Sequence, residues 1–234
     1  MTDPIEKPSD LRDTTVEIAK ASGLGEIIDE ISKEQNLLDF ESQSNIAIPL
    51  EKIGDTGQTI MVSSTPSETL DVFVEMINEK ETALEYPFLL TGTANDDTIS
   101  LVDISLLYSN SQVLQSRVVD VDSQLLGNTV NNANEAGRNI YVIGHTHPKV
   151  SEDEKNNTLT SKVSEEIKNK YGIKDVGLNL SLQDLYQLVS FQEALKGRIP
   201  ESSKVYLTVL MYDGTFEAIS IEDGRFKRTK TNYR

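Results

Sequence analysis

The chain has 234 residues, enough for one domain with a sizeable core, and it contains no cysteine. The absence of cysteine excludes disulfides, thiolate metal sites and cysteine nucleophiles. With 22 Lys and Arg residues against 38 Asp and Glu residues, the formal net charge is −16. A field of this sign repels phosphate backbones, so we expect no nucleic-acid partner.

The apolar runs of the chain are no longer than a strand, so we expect no membrane-spanning segment and no membrane partner. The first residues, MTDPIEKPSD, are polar and acidic and lack the basic-then-apolar order of a secretory signal. These two features predict a cytoplasmic protein. The basic end of the chain, KRTKTNYR (227–234), is predicted to be a solvated terminus.

Residues 1–55 differ from the remainder and are predicted to form a helical N-terminal extension. Gly23 and Gly25 interrupt the apolar pattern, which favours two short helices over one long helix. The sequence leaves open whether the extension packs on the main body or binds a partner. The helical spacing rests on Val16, Ala19, Ile27, Ile28 and Ile31.

Residues 56–234 alternate strand and helix patterns. QTIMVSS, EYPFLLTG and TISLVDISLLYS are typical of strands, and a helix with one apolar face separates the first two. In NIYVIGHTH the apolar run Ile140 to Ile143 covers both faces, which indicates a central strand. The last three strands form an antiparallel meander with turns at Asp213-Gly214 and Asp223-Gly224. The pattern predicts an α/β (α+β) fold with a mixed central sheet flanked by helices.

The only two histidines of the chain, His145 and His147, lie at the end of that central strand. Residues i and i+2 of a strand point to the same face, so both imidazoles project together and Thr146 points away. Two adjacent imidazoles can chelate a divalent metal such as zinc. An isolated His-x-His pair is also compatible with two polar residues at a strand end.

A catalytic zinc ion needs a third protein ligand and an open coordination position. Ser181 and Asp184 open a helix predicted over about 182–195, and Asp184 is the candidate ligand. The same Ser-x-x-Asp pattern also fits a capping box, although the usual residue at its last position is Glu or Gln. A nearer Ser-x-x-acid set, Ser151 to Glu154, is too close to His147 for the chain to turn and begin a ligand helix.

Gly144-His145-Thr146-His147 is similar to the last metal-binding motif of calcineurin-like phosphatases. That family needs further histidine motifs, which a chain with two histidines cannot supply. The full pattern instead resembles the JAMM (MPN+) metalloprotease family. Its order is a Glu opening an apolar strand that ends in Gly (Glu85 to Gly92), then His-x-His-Pro (145–148), then Ser-x-x-Asp (181–184).

This resemblance covers about residues 56–222. It implies the MPN fold, related to that of cytidine deaminases, and one Zn²⁺ per chain bound by His145, His147, Asp184 and a water. In that family pattern Glu85 is the catalytic general acid and base, and Ser181 stabilises the oxyanion. The implied substrate is a peptide or isopeptide bond in a protein, for example at a ubiquitin-like C-terminal tail.

One feature departs from the family. Residues 148–180 separate His147 from Ser181, where the family has a short spacer, so we interpret 149–177 as an insertion. At the mouth of the site the insertion would be a lid or a substrate-binding element, or else a solvated surface excursion.

Two alternatives to the protease remain open. The first is a catalytically inactive MPN-type protein-binding scaffold. The second is a nucleic-acid-associated protein resembling the RadC type, which shares the His-x-His-Pro core, and the charge of −16 argues against it. All five positions of the family pattern are present, which favours catalysis: Glu85, His145, His147, Ser181 and Asp184. The sequence predicts no oligomeric state.

Overall fold

The computed structural model describes residues 8–79, 85–108, 121, 123–149, 153, 156–174 and 179–233. Its helices are α1 Pro8–Ala19, α2 Gly25–Gln35, α3 Phe40–Gln43, α4 Ser64–Glu79, α5 Ser123–Glu135, α6 Leu159–Lys162, α7 Glu165–Tyr171 and α8 Leu182–Leu195. Its strands are β1 Ala47–Ile48, β2 Gly54–Val62, β3 Phe88–Ala94, β4 Thr98–Leu106, β5 Ile140–His147, β6 Leu180–Ser181, β7 Lys204–Met211, β8 Phe216–Glu222 and β9 Arg225–Asn232.

Seven strands form one mixed sheet in the order β2-β4-β3-β5-β7-β8-β9, and β9 pairs back onto β2 to close a barrel. The predicted mixed α/β architecture is confirmed at this level. The sequence did not predict the closure, which leaves none of the seven strands with an unpaired edge. The β8–β9 hairpin turns at Asp223 and Gly224, whose φ values of 52° and 69° are those expected of an Asp-Gly turn.

Strand β5 lies between antiparallel β3 and parallel β7, which confirms that it is a central strand. Its alternating side chains enter two different hydrophobic clusters. Tyr141 and Ile143 pack in the cluster that contains α8, and Ile140 and Val142 pack in the cluster that contains α4. The two histidines follow Tyr141 and Ile143 in the same alternation, so β5 directs them toward α8.

The N-terminal extension packs on the main body. A π turn at Lys20–Leu24 joins α1 to α2, and Gly23 with φ 91° breaks the helix between them. Ile27, Ile28 and Ile31 of α2 are each 1% exposed and belong to the same cluster as α8. The break at Gly23, whose positive φ glycine accepts readily, separates α1 from α2 and agrees with the prediction of two short helices.

The described part of the insertion is also packed. Its helix α7 ends at Tyr171, because Gly172 takes the left-handed conformation at φ 72°. Polar contacts join this region to α2, including Lys170 Nζ to Glu30 Oε2 at 2.7 Å and Gln35 Nε2 to the Lys162 carbonyl at 2.8 Å. Four of its apolar side chains lie in the core: Val163, Ile167, Tyr171 and Ile173.

Within the described ranges, no helix combines the length and the apolar composition needed to cross a membrane.

Candidate metal centre

His145 and His147 point to the same side of β5, and their Nε2 atoms lie 3.1 Å apart. The side chain of His145 is 2% exposed and that of His147 is 16% exposed. Gly144 makes room at this end of the strand. A Cβ atom at this position would lie 2.3 Å from the ring of Phe88 and 2.7 Å from Cγ2 of Thr208. The backbone of β5 beside His145 is therefore closely packed between the two neighbouring strands.

Asp184 joins the histidines from the first turn of α8. Its Oδ1 lies 3.0 Å from Nε2 of His145 and 3.9 Å from Nε2 of His147. Its Oδ2 accepts hydrogen bonds from the backbone N–H of Ser181 at 2.6 Å and from the Ser181 hydroxyl at 2.7 Å. The two interpretations of Ser-x-x-Asp are thus compatible, because one carboxylate oxygen completes a capping box and the other faces the histidines.

The donor set fits zinc. Two imidazole nitrogens and one carboxylate oxygen lie within 4.8 Å of one another. Tetrahedral zinc with bonds of about 2.0–2.1 Å places its ligand atoms about 3.3 Å apart, which is the scale of the separations found here. If all three groups bound one tetrahedral ion, its fourth position would remain open, as in catalytic zinc sites.

The charges of the three groups are coupled. Burial disfavours the charged forms of both His145 and Asp184, but the hydrogen bond and the attraction between them outweigh it. The pKa of His145 is therefore raised, and the pKa of Asp184 is lowered. Burial also lowers the pKa of His147 to about 4, against the attraction of Asp184, so this imidazole is neutral at pH 7 and can bind a metal.

Glu85 lies close enough to this cluster for the charges of His145 and Asp184 to act on its pKa. The side chain is half-buried. The pKa of Glu85 is raised to about 7, chiefly by burial; the charge of His145 opposes this rise, and the negative charge of Asp184 adds to it. A carboxyl group with this pKa can both accept and donate a proton near neutral pH.

The sequence prediction placed Glu85 at the start of a strand, and this detail is wrong. Strand β3 begins at Phe88, so Glu85 lies in the segment that precedes it. Pro87 has no N–H to donate to a ladder, which delays the start of the strand.

Thr146 fixes this preceding segment, and sequence analysis had assigned it no role. Its Oγ1 accepts a hydrogen bond from the backbone N–H of Tyr86 at 2.9 Å, and Thr146 is fully buried. The residue between the two histidines therefore anchors the residue next to Glu85. A hydroxyl group on an otherwise apolar strand face was the signal available in the sequence, because buried hydroxyl groups need partners.

The structure thus brings four of the five predicted site residues into direct contact, and the fifth, Glu85, lies where the charges of His145 and Asp184 affect its pKa. Ser181 and Asp184 share the capping box, Asp184 faces the two histidines, and the Glu85 segment is tied to Thr146. Glu154, the acid of the nearer Ser-x-x-acid set, lies outside the described residues, as do parts of the insertion suspected of binding substrate.

No protein-family model matches the chain, and no curated protein sequence matches it. Among solved structures, the chain is similar to the solution structure of protein DSY2949 from Desulfitobacterium hafniense, with a TM-score of 0.38 and 10% sequence identity. That similarity covers 74% of this chain and 91% of the other chain.

Proposed function

We propose that the protein is a zinc-dependent hydrolase of the JAMM type, with an MPN-like fold, that cleaves a peptide or isopeptide bond. The observation that carries the proposal is the convergence of His145, His147 and Asp184 beside a half-buried Glu85. The ligand set suits zinc, and the adjacent carboxyl group has the pKa that a general acid and base needs at neutral pH.

A bound zinc ion acts as a Lewis acid toward the scissile carbonyl and makes water a stronger acid. Glu85 accepts a proton from the attacking water and donates it to the leaving amine. Its pKa of about 7 makes both transfers accessible at neutral pH. His145, His147 and Asp184 would hold the metal, and the chemistry needs no covalent enzyme intermediate.

Ser181 is proposed to stabilise the oxyanion of the tetrahedral intermediate. In the present structure its hydroxyl donates to Oδ2 of Asp184. Rotation of that hydroxyl toward substrate leaves the carboxylate held by the Ser181 backbone N–H, which bonds to the same oxygen at 2.6 Å. The serine can therefore change partners while the Asp184 ligand stays in place.

The proposed substrate is a protein or peptide, with an extended segment such as a ubiquitin-like C-terminal tail as the first class to test. The second candidate function is an MPN-type scaffold that binds proteins without cleaving them. The position of Glu85 beside the donor set favours catalysis, because a scaffold has no need of a carboxyl group with a raised pKa at this place.

Zinc content separates these possibilities at the first step. We expect about one zinc per chain in the wild-type protein and in Glu154→Ala, and none in His145→Ala or Asp184→Ala. Wild-type protein purified without chelator that holds no zinc, and takes none up on addition, would overturn the proposal.

Activity separates the enzyme from the scaffold. A panel of ubiquitin-like isopeptide conjugates and unstructured peptides is incubated with zinc-loaded wild type and with Glu85→Gln. We expect cleavage by wild type only, and full zinc content in both proteins. Binding of a panel member by zinc-loaded wild type without cleavage would support the scaffold.

A further inference from the structure

The N-terminal end of α8 is capped by the N-terminal extension. The first N–H groups of a helix have no partner inside the helix. Here the N–H of Leu182 donates to the Ile46 carbonyl at 3.0 Å, and that of Gln183 donates to the Ser44 carbonyl at 2.8 Å. The N–H of Asp184 donates to the Ser181 hydroxyl at 3.2 Å. Two of these three donors therefore depend on residues more than a hundred positions away in the chain.

These residues belong to one short segment, Ser44–Ile48, which we name the strap. Its strand β1 pairs antiparallel with β6, with Ala47 opposite Ser181 and Ile48 opposite Leu180. The strap is firmly packed, since Ser44 is 8% exposed, Ile46 1% and Ile48 0%. The backbone contacts of the strap fall on four consecutive residues, Leu180–Gln183. Ile46 and Ile48 also share one hydrophobic cluster with Leu180 and Leu182.

The strap supplies the sheet contact that this segment otherwise lacks. Among the described residues, β6 pairs only with β1 and has no place in the seven-stranded barrel. The histidines are fixed by β5 within the barrel, whereas Ser181 lies in a strand held by the strap and Asp184 follows that strand. The separation of 3.0 Å between Asp184 and His145 thus depends on where the extension seats β6.

We propose that the strap is a positioning element of the metal centre, so that the centre is incomplete without the N-terminal extension. Ser44 and Ile46 contact the first turn of the ligand helix, and Ile48 pairs with Leu180 of β6. They are positioning residues, because none of them is a metal ligand. This inference rests on the proposed function in one respect, since it takes His145, His147 and Asp184 to be metal ligands.

The first test compares two buried isoleucines of the extension. Ile48→Ala loosens the strap, and Ile31→Ala removes an equally buried side chain from α2, outside the strap. Both deletions weaken the core to a similar extent. We expect Ile48→Ala to lower the zinc affinity of the full-length protein about tenfold to a hundredfold, as is typical for groups that orient metal ligands. We expect Ile31→Ala to change it less than about threefold.

Equal zinc affinities in the two variants, at similar unfolding free energies, would overturn the proposal. Rescue adds a further control. Ile48→Val keeps most of the side chain and is expected to restore zinc affinity close to that of the wild type.

The second test does not depend on zinc. Amide hydrogen exchange of the metal-free wild type is expected to show protection at Leu182 and Gln183, positions that are unprotected in an ordinary first helical turn. Ile48→Ala should abolish this protection and leave the middle of α8 protected, whereas Ile31→Ala should preserve both.

Unprotected amides at both Leu182 and Gln183 in the wild type would overturn the proposed role of the strap. This result does not require Ile48→Ala to fold. A wild type that shows this protection but binds no zinc would refute the proposed function and leave the strap as a contact that holds the helix.

Discussion

Thr146 accepts a hydrogen bond from the backbone N–H of Tyr86 at 2.9 Å, and this bond joins the histidine strand to the segment that carries Glu85. One residue therefore fixes two parts of the site. Its neighbours on β5 are the two histidines, and its hydroxyl group faces away from them toward Tyr86.

Replacement of this hydroxyl tests its role. Thr146→Val keeps the shape and removes the hydroxyl that accepts from the Tyr86 N–H, at a cost of about 1–3 kcal/mol. We expect zinc affinity within about threefold of wild type but a fall in kcat on the order of a hundredfold, because Glu85 is displaced. Thr146→Ser keeps the acceptor and should retain most activity. Equal kcat values for the valine and serine variants would contradict this assignment.

One oxygen of the Asp184 carboxylate completes the capping box of α8 and the other faces the histidines. We therefore expect that substitutions can separate helix capping from metal binding. Asp184→Asn keeps an oxygen for the Ser181 N–H but loses the charge, so we expect zinc binding to fail while the metal-free fold persists. Asp184→Ala loses the cap as well, and its unfolding free energy should be lower by about a further 1 kcal/mol. Zinc titration and urea unfolding with chelator measure the two effects. Equal stabilities of the two variants would argue against the cap.

Substitution of glycine by alanine is expected to change stability in opposite directions at Gly144 and Gly127. Gly144→Ala places a Cβ atom 2.3 Å from the Phe88 ring, so we expect destabilisation of about 1–3 kcal/mol and weaker zinc binding. Gly127 lies within α5 with nothing inside 4 Å of its Cβ position. Gly127→Ala should therefore stabilise the protein by about 0.5–1 kcal/mol. Thermal unfolding measures both, and a neutral Gly144→Ala would show that the histidine strand tolerates displacement.

Glu85 and His147 are expected to affect the pH dependence of the stability of the metal-free protein in opposite directions. Burial raises the pKa of Glu85 from 4.5 to about 7 and lowers the pKa of His147 from 6.5 to about 4. Between pH 4.5 and 6.5, folding favours protonated Glu85, so its contribution to stability falls as pH rises. Over the same range folding favours neutral His147, so its contribution rises with pH.

Glu85→Gln removes the contribution of Glu85 to the pH dependence of stability and leaves that of His147. We expect the unfolding free energy of this variant to rise from pH 4.5 to 6.5 more steeply than that of wild type, in urea unfolding with chelator. Glu79→Gln, which alters an exposed residue at the end of α4, is the control and should follow the wild type. A Glu85→Gln variant whose pH dependence equals that of wild type would contradict the raised pKa of Glu85.

Local features were predictable because each depends on neighbours in the sequence. The i, i+2 spacing placed His145 and His147 on one face, and the run from Ile140 to Ile143 identified a central strand. The turn at Asp223-Gly224 followed from the backbone conformations that these two residues accept. The start of β3 lies at Phe88 and not at Glu85 as the pattern predicts, because Pro87 has no N–H for strand pairing.

The sequence by itself determined that two imidazoles project together and that Ser181 and Asp184 cap a helix, since strand alternation and helix capping are short-range effects. Only the tertiary structure decided that the second oxygen of Asp184 meets those imidazoles, that Thr146 holds the Glu85 segment, and that Ser44–Ile48 seat the ligand helix. The strap and the barrel closure depend on backbone hydrogen bonds between distant segments. Such bonds are the same for almost every residue type, so they leave little trace in the order of side chains.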